Sequence, residues 1–192
     1  VPEPKTGVLL VNLGSPDAPT APAVRRYLAE FLSDPRVVEI PRALWLPILY
    51  GPVLSFRPKK SAHAYAAIWD EKAGDSPLRV ITKDQAGKVA QALEIEPNVI
   101  VDWAMRYGNP TMASKIDALK EQGCTRILVS ALYPQYSATT TASVYDKAFD
   151  ILKGQRWQQA LRTMPPYHDD PDYIAALADS VESSLAKLEW KP

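Results

Sequence analysis

Arg126-Ile127-Leu128-Val129-Ser130-Ala131-Leu132-Tyr133-Pro134-Gln135-Tyr136-Ser137-Ala138-Thr139-Thr140-Thr141 joins a short apolar run to a loop rich in hydroxyl groups. The run over 127–132 is apolar but for Ser130 and does not alternate, the pattern of a strand buried on both faces of a parallel sheet. In an open α/β sheet, ligands bind at the loops that leave the carboxyl ends of the strands. Tyr133, Tyr136 and Ser137 in such a loop suit a wall for a flat, partly apolar ligand better than a cradle for phosphate. The same residues also serve as turn formers and helix caps.

Outward from this stretch, strand-like and helix-like segments alternate. Thr6-Gly7-Val8-Leu9-Leu10-Val11-Asn12-Leu13 reads as a central parallel strand, stopped by Gly14-Ser15-Pro16. A helix begins at Thr20, with Val24, Tyr27, Leu28, Phe31 and Leu32 on one face, and ends near Ser33-Asp34-Pro35. Ser76 caps a helix that runs to Leu93, residues 98–105 form a second strand, and residues 111–122 form the following helix. Cys124 is placed in the turn after Gly123, a helix covers 142–152, a weaker strand covers 157–163, and a closing helix covers 171–188. This order predicts an α/β, flavodoxin-like parallel sheet of about four strands flanked by helices, as one domain over residues 1–192.

One segment breaks the alternation. Arg42-Ala43-Leu44-Trp45-Leu46-Pro47-Ile48-Leu49-Tyr50-Gly51-Pro52-Val53-Leu54-Ser55-Phe56-Arg57 is too apolar for a connecting loop, yet too short and proline-broken to span a bilayer. Residues 41–57 therefore read as a lip that covers the sheet, lines an apolar cleft or touches a membrane surface. Arg57, Lys59 and Lys60 form a basic rim beside it, followed by Tyr65 and Trp69 on the next helix.

Composition excludes several classes. The 22 basic and 22 acidic residues cancel, so no global field points to nucleic acid or an anionic membrane. One cysteine rules out an internal disulfide framework and fits a reducing, cytoplasmic compartment, and the first residues lack the pattern of a signal peptide. GxGxxG, GxxxxGK[ST] and GxSxG are all absent. Arg106 and Tyr107, on the loop after the second strand, offer a fixed cation and an aromatic face for a carboxylate on a flat ring. His168, with Asp169, Asp170 and Asp172 nearby, is either a cation site or an acidic helix entry; no metal ligand is assigned with certainty.

Taken in order, Gly7 to Pro19, Phe31-Leu32-Ser33-Asp34-Pro35-Arg36-Val37-Val38, Tyr65-Ala66-Ala67-Ile68-Trp69, Ser76-Pro77-Leu78, Met105-Arg106-Tyr107-Gly108-Asn109-Pro110 and Leu132 to Ser137 resemble the ferrochelatase family along essentially the whole chain. The resemblance implies a chelatase-like fold and a role in haem biosynthesis, in which Fe2+ is inserted as a substrate into protoporphyrin. It implies that Leu13, Arg57, Tyr65, Ser76, Arg106, Tyr107, Tyr133 and Ser137 contact or line a porphyrin pocket, with the lip above it and a peripheral contact with the inner membrane as a further use of that lip. His168 matches a histidine assigned to metal handling in some members. The family's Ser-x-His-[Ser/Gly]-[Leu/Ile]-Pro motif and an acidic partner lie on a second, carboxyl-terminal domain that the sequence does not reach before Pro192. Ala138 stands where some members place an iron–sulfur ligand, so no bound cofactor is expected. Read this way, the chain is the porphyrin-binding amino-terminal half of a ferrochelatase, a lyase, and is inactive alone. The alternative is a non-catalytic tetrapyrrole- or flavin-binding module.

Overall fold

The computed structural model describes residues 3–188. Four strands, β1 (Lys5–Ser15), β2 (Val99–Gly108), β3 (Cys124–Ala131) and β4 (Ala160–Thr163), form one sheet in the order β2-β1-β3-β4. Every pairing is parallel, as the unalternating apolar runs require when both faces are covered. Seven α-helices accompany them: α1 (Ala21–Leu32), α2 (Arg42–Ile48), α3 (Leu54–Ile68), α4 (Pro77–Ala92), α5 (Met112–Glu121), α6 (Ser143–Lys153) and α7 (Pro171–Lys187).

The core is divided in two. Leu9, Val11, Ala104, Ile127 and Val129 from the strands meet Ile116 and Leu119 of α5 and Val144 and Ala148 of α6. A second cluster gathers Val24, Tyr27 and Leu28 of α1, Leu54 and Ala62 of α3, Leu49 and Tyr107 near the carboxyl ends of β1 and β2, with Leu13 packed against it. On the other face of the sheet, α4 lies against β1 and β2, and the Asn12 amide donates to the Thr82 hydroxyl at 3.0 Å.

Several boundaries differ from the sequence reading. β1 continues past Leu13 to Ser15 and β2 past Met105 to Gly108, because the backbone ladder persists where the apolar side chains stop: Gly14 still pairs with Tyr107 and Ser15 with Gly108. Arg106 and Tyr107 are thus held on a strand and not on a loop, and Leu13 lies inside β1 rather than at its end. Gly14 makes this crossing feasible; its φ is +109°, and a Cβ there would lie 1.9 Å from the Tyr107 carbonyl oxygen. Cys124 is the first residue of β3 and is buried, not part of a turn. The weak fourth strand shrinks to Ala160–Thr163.

The lip is a helix, a kink and the start of another helix. α2 ends at Ile48, a wide turn at Leu49–Val53 takes Gly51 off helical geometry (φ −83°, ψ −107°), and α3 begins at Leu54. The internal Pro47 and Pro52 explain the kink, since neither can donate an amide to the helical ladder. Arg57, Lys59, Lys60 and Tyr65 consequently share α3 instead of being divided between a rim and a following helix. A second wide turn, Ala138–Ala142, leads from the tyrosine loop into α6.

Candidate functional site

Strand order fixes where the site should be. The chain moves from β1 to β2 on one side and then to β3 on the other, so a crevice opens at the carboxyl ends of β1 and β3. Leu13 stands at the end of β1, and Tyr133 leaves β3 just after Leu132, whose amide still donates to the Val11 carbonyl at 2.8 Å. Around this point the structure assembles an aromatic wall. Tyr27 meets Tyr65 edge to face (centroids 6.2 Å apart), Phe31 stacks on Tyr27, and Phe31 meets Tyr107 edge to face at 5.0 Å. The Tyr27 hydroxyl donates to the Gly14 carbonyl at 3.2 Å.

The tyrosine hydroxyls are held neutral. Burial pushes Tyr27, Tyr107 and Tyr133 well above the ordinary phenol range, and Tyr65 upward as well. Tyr133 is the least satisfied of them: its hydroxyl is buried without a hydrogen-bond partner among the described residues. A buried donor left unmet costs free energy, so this hydroxyl is suited to meeting a group brought by a ligand.

Behind the wall lies an anionic knot centred on Asp34, at the carboxyl end of α1. One carboxylate oxygen accepts from Arg106 Nη2 at 2.6 Å, from the Tyr107 hydroxyl at 2.7 Å and from the Ser143 hydroxyl at 2.5 Å. The other oxygen accepts from the Arg36 amide at 2.7 Å. Burial pushes the Asp34 carboxyl upward, but the hydrogen bonds from Ser143, Tyr107 and the Arg36 amide, together with the Arg106 charge, outweigh it and hold the group below the usual carboxylate range. Arg106 Nε bonds the carbonyl and hydroxyl of Ser143, and the guanidinium lies 4.3 Å from the Tyr107 ring centroid.

The expected cation and aromatic face are therefore adjacent, yet most of the cation's capacity is turned inward. Nη1 has no partner among the described residues, and Arg106 borders an open cavity of about 310 Å3 shared with Ser33, Tyr50 and Lys147.

A second knot lies beside the first. Ser76 caps α4 by accepting from the Arg79 amide at 3.3 Å, and its hydroxyl is 2.6 Å from that of Ser15. It is buried, so it supports the loop edge and does not face the crevice. Arg79 pairs with Asp75 at 2.7 Å and donates to the carbonyls of Pro16 and Asn109 at 2.7 and 3.1 Å. Three loops at the sheet's carboxyl edge are held by this one guanidinium.

The lip is anchored on one side and open on the other. Leu49 and Leu54 are buried, and the Trp45 indole donates to the Leu32 carbonyl at 2.7 Å. Leu44, Ile48 and Phe56 stay exposed, Phe56 at 78%. Arg57 is exposed two turns before Tyr65 on α3.

Ser137, half-buried, accepts from the Thr139 amide and opens the turn into α6, and Ala138 follows it. His168 is exposed in the β4–α7 connection, which the Tyr167 amide tethers to the Pro134 carbonyl at 3.1 Å. Asp170 accepts from the Asp172 and Tyr173 amides, which makes it the cap of α7. Among the described residues no three His, Cys, Asp or Glu side chains gather into a metal cluster.

Leu13, Tyr65, Tyr107, Arg106 and Tyr133 thus come together, Ser76 sits one layer behind, and Arg57 and Ser137 lie at the margins. Tyr27, Asp34, Ser143 and Arg79 were not singled out for the site from sequence. Tyr27 appeared only as a core position, and nothing local to the other three signals partners 72 and 109 residues away for Asp34, or 63 for Arg79.

A family model described as Ferrochelatase matches residues 5–192. Proteins named ferrochelatase from Agrobacterium fabrum and Rhizobium meliloti are 60% and 58% identical over 188 residues, and one from Brucella ovis is 56% identical over 189. Each match covers 98% of this chain but only 55%, 56% and 54% of the relative, so the chain spans about half the length of these curated relatives. An all-parallel α/β domain matched by the family model over residues 5–192, with close relatives of that name, belongs to the ferrochelatase family.

Proposed function

We propose that this chain forms the porphyrin-binding half of a ferrochelatase that inserts Fe2+, as substrate, into protoporphyrin in haem biosynthesis. The observation that carries the reading is the aromatic wall at the carboxyl ends of β1 and β2, with the unmet Tyr133 hydroxyl at the neighbouring end of β3 and an open apolar lip built on the same core cluster as the wall. A tetrapyrrole is a large flat apolar disc with two carboxylate arms. Tyrosine faces and the exposed Leu44, Ile48 and Phe56 suit the disc, while Arg57 and the unpaired Nη1 of Arg106 suit the arms.

Chelation also needs a base, because the pyrrole N–H protons leave as the metal enters. Asp34 is a poor candidate: its pKa is lowered, and three donors hold one oxygen while a backbone amide holds the other. The tyrosines of the wall are held protonated. These residues bind and shape; the proton acceptor comes from the part of the relatives that this chain does not cover. The exposed lip also gives a peripheral contact with the inner membrane from the cytoplasmic side, and no described helix is long and apolar enough to cross a bilayer.

The test is an absorbance titration of the 192-residue chain with protoporphyrin, alongside iron insertion by the same chain. Saturable binding with insertion at background level is expected. No spectral change with protoporphyrin, alongside a change with flavin, would overturn the reading.

A further inference from the structure

A buried cation bridges the carboxyl ends of β1 and β2. Arg79, in the first turn of α4, is only 9% exposed. A cation in that turn opposes the helix dipole, so the helix itself gives no reason for it. Its partners lie on the loops instead. Nη2 donates to the Pro16 carbonyl at 2.7 Å and to the Ser15 hydroxyl at 3.3 Å, where β1 ends. Nη1 donates to the Asn109 carbonyl at 3.1 Å, just past the end of β2. The charge is balanced by Asp75, 2.7 Å from Nε, and by Asp17, 3.6 Å from Nη1.

Packing does not fix these loops from the other side. A cavity of about 190 Å3 lies between α1 and the two strand ends, bordered by Ser15, Pro16, Tyr27, Gly108 and Asn109. Where close-packed neighbours are missing, position depends on directional bonds, and here those converge on one guanidinium. The spacing that it sets reaches the aromatic wall. Ser15 follows Gly14, whose carbonyl accepts from the Tyr27 hydroxyl, and Tyr27 meets Tyr65 edge to face. Asn109 stands two residues after Tyr107. A displacement at either strand end therefore passes to Leu13 and Tyr27 on one side and to Arg106 and Tyr107 on the other. Lysine could supply the charge but not this geometry, because a single ammonium does not present the planar fork that spans acceptors on two loops.

Resting on the functional reading above, we infer that Arg79 is a positioning residue for porphyrin binding. It acts through the backbone carbonyls of Pro16 and Asn109 and not by touching the ligand. By setting the gap between the ends of β1 and β2, it puts the tyrosine wall and Arg106 in place before the ligand arrives. A wall formed beforehand binds without the cost of ordering it.

The test compares Arg79→Lys with wild type and with Leu152→Ala, a core truncation at the far end of α6. Arg79→Lys keeps a cation beside Asp75 and Asp17 and removes the fork. In the free chain, amide exchange over residues 13–17 and 106–110 should rise about tenfold or more, while the amides of β3 change less. The Kd for protoporphyrin, from absorbance titration, should rise about tenfold, and the Soret band of the saturated complex should broaden. Leu152→Ala should lose stability yet keep wild-type exchange in those loops and wild-type affinity. Loop exchange at the wild-type rate in Arg79→Lys would overturn the proposal. So would affinity losses in the two variants that simply follow their losses of thermal midpoint. If Arg79→Lys does not fold, wild type alone decides. Protoporphyrin should then add less than about threefold protection to the two loops, and a gain of about tenfold would show that the ligand orders them and would overturn the proposal. No absorbance change on mixing wild type with protoporphyrin counts against the functional reading alone, because loop exchange in the free chains is measured without porphyrin.

Discussion

Asp34 concentrates the residue-scale physics of the site. Its lowered pKa means that it contributes stability above the unfolded value of about 3.9 and loses it as pH falls through the lower folded value. Asp34→Asn should therefore unfold more easily at neutral pH, and the gap to wild type should close below about pH 4; thermal midpoints measured from pH 3 to 7 check this. A constant gap across that range would remove Asp34 from its place as an ionised acceptor. Arg106→Ala leaves the same carboxylate buried without its cation and should cost about 3 kcal/mol in chemical unfolding. Tyr133 should behave in the opposite way. Deleting its unpartnered hydroxyl in Tyr133→Phe should leave stability unchanged or raise it by up to ~1 kcal/mol, while porphyrin affinity measured by titration falls. A variant that loses stability instead would show that the hydroxyl is satisfied in the free chain.

Among the elements, the lip separates binding from folding. Phe56 is largely exposed on the first turn of α3, so Phe56→Glu should change the unfolding midpoint little and weaken protoporphyrin binding several-fold. Equal binding would exclude the lip from the cleft. This element also shows what was legible in sequence. The apolar run over 42–57 announced a non-loop, and its prolines announced that it would not be one straight helix, but the sharing of α3 by Arg57 and Tyr65 depends on where the Gly51 kink ends. The strands were legible from their continuous apolar cores. Their last residues were not, because Ser15, Arg106 and Gly108 end the hydrophobic pattern while the hydrogen-bond ladder continues. Most hidden were the knots: Asp34 read as a helix end and Arg79 drew no reading of its own, since a single sequence does not show which polar groups meet across the fold.

On the scale of the whole molecule, the domain is unevenly consolidated. β1 lies between two parallel neighbours and carries buried residues on both faces, whereas α7 buries none. Amides of α7 should accordingly exchange at least about a hundredfold faster than those of β1 in the 192-residue chain, which native-state hydrogen exchange resolves. Comparable protection would mean that α7 already has a partner. The Asp34 knot adds a constraint of another kind. Its donors arrive from residues 72 and 109 positions later, so the carboxylate lacks its counter-charge until β2 and the start of α6 have docked. Contacts of such long sequence separation form late and slowly. The order of events in folding is thereby coupled to the pocket: a chain that has collapsed but not yet joined α1 to α6 has no finished knot to hold Arg106 and Tyr107 in place, and the ability to hold a tetrapyrrole should appear only in the last phase of refolding.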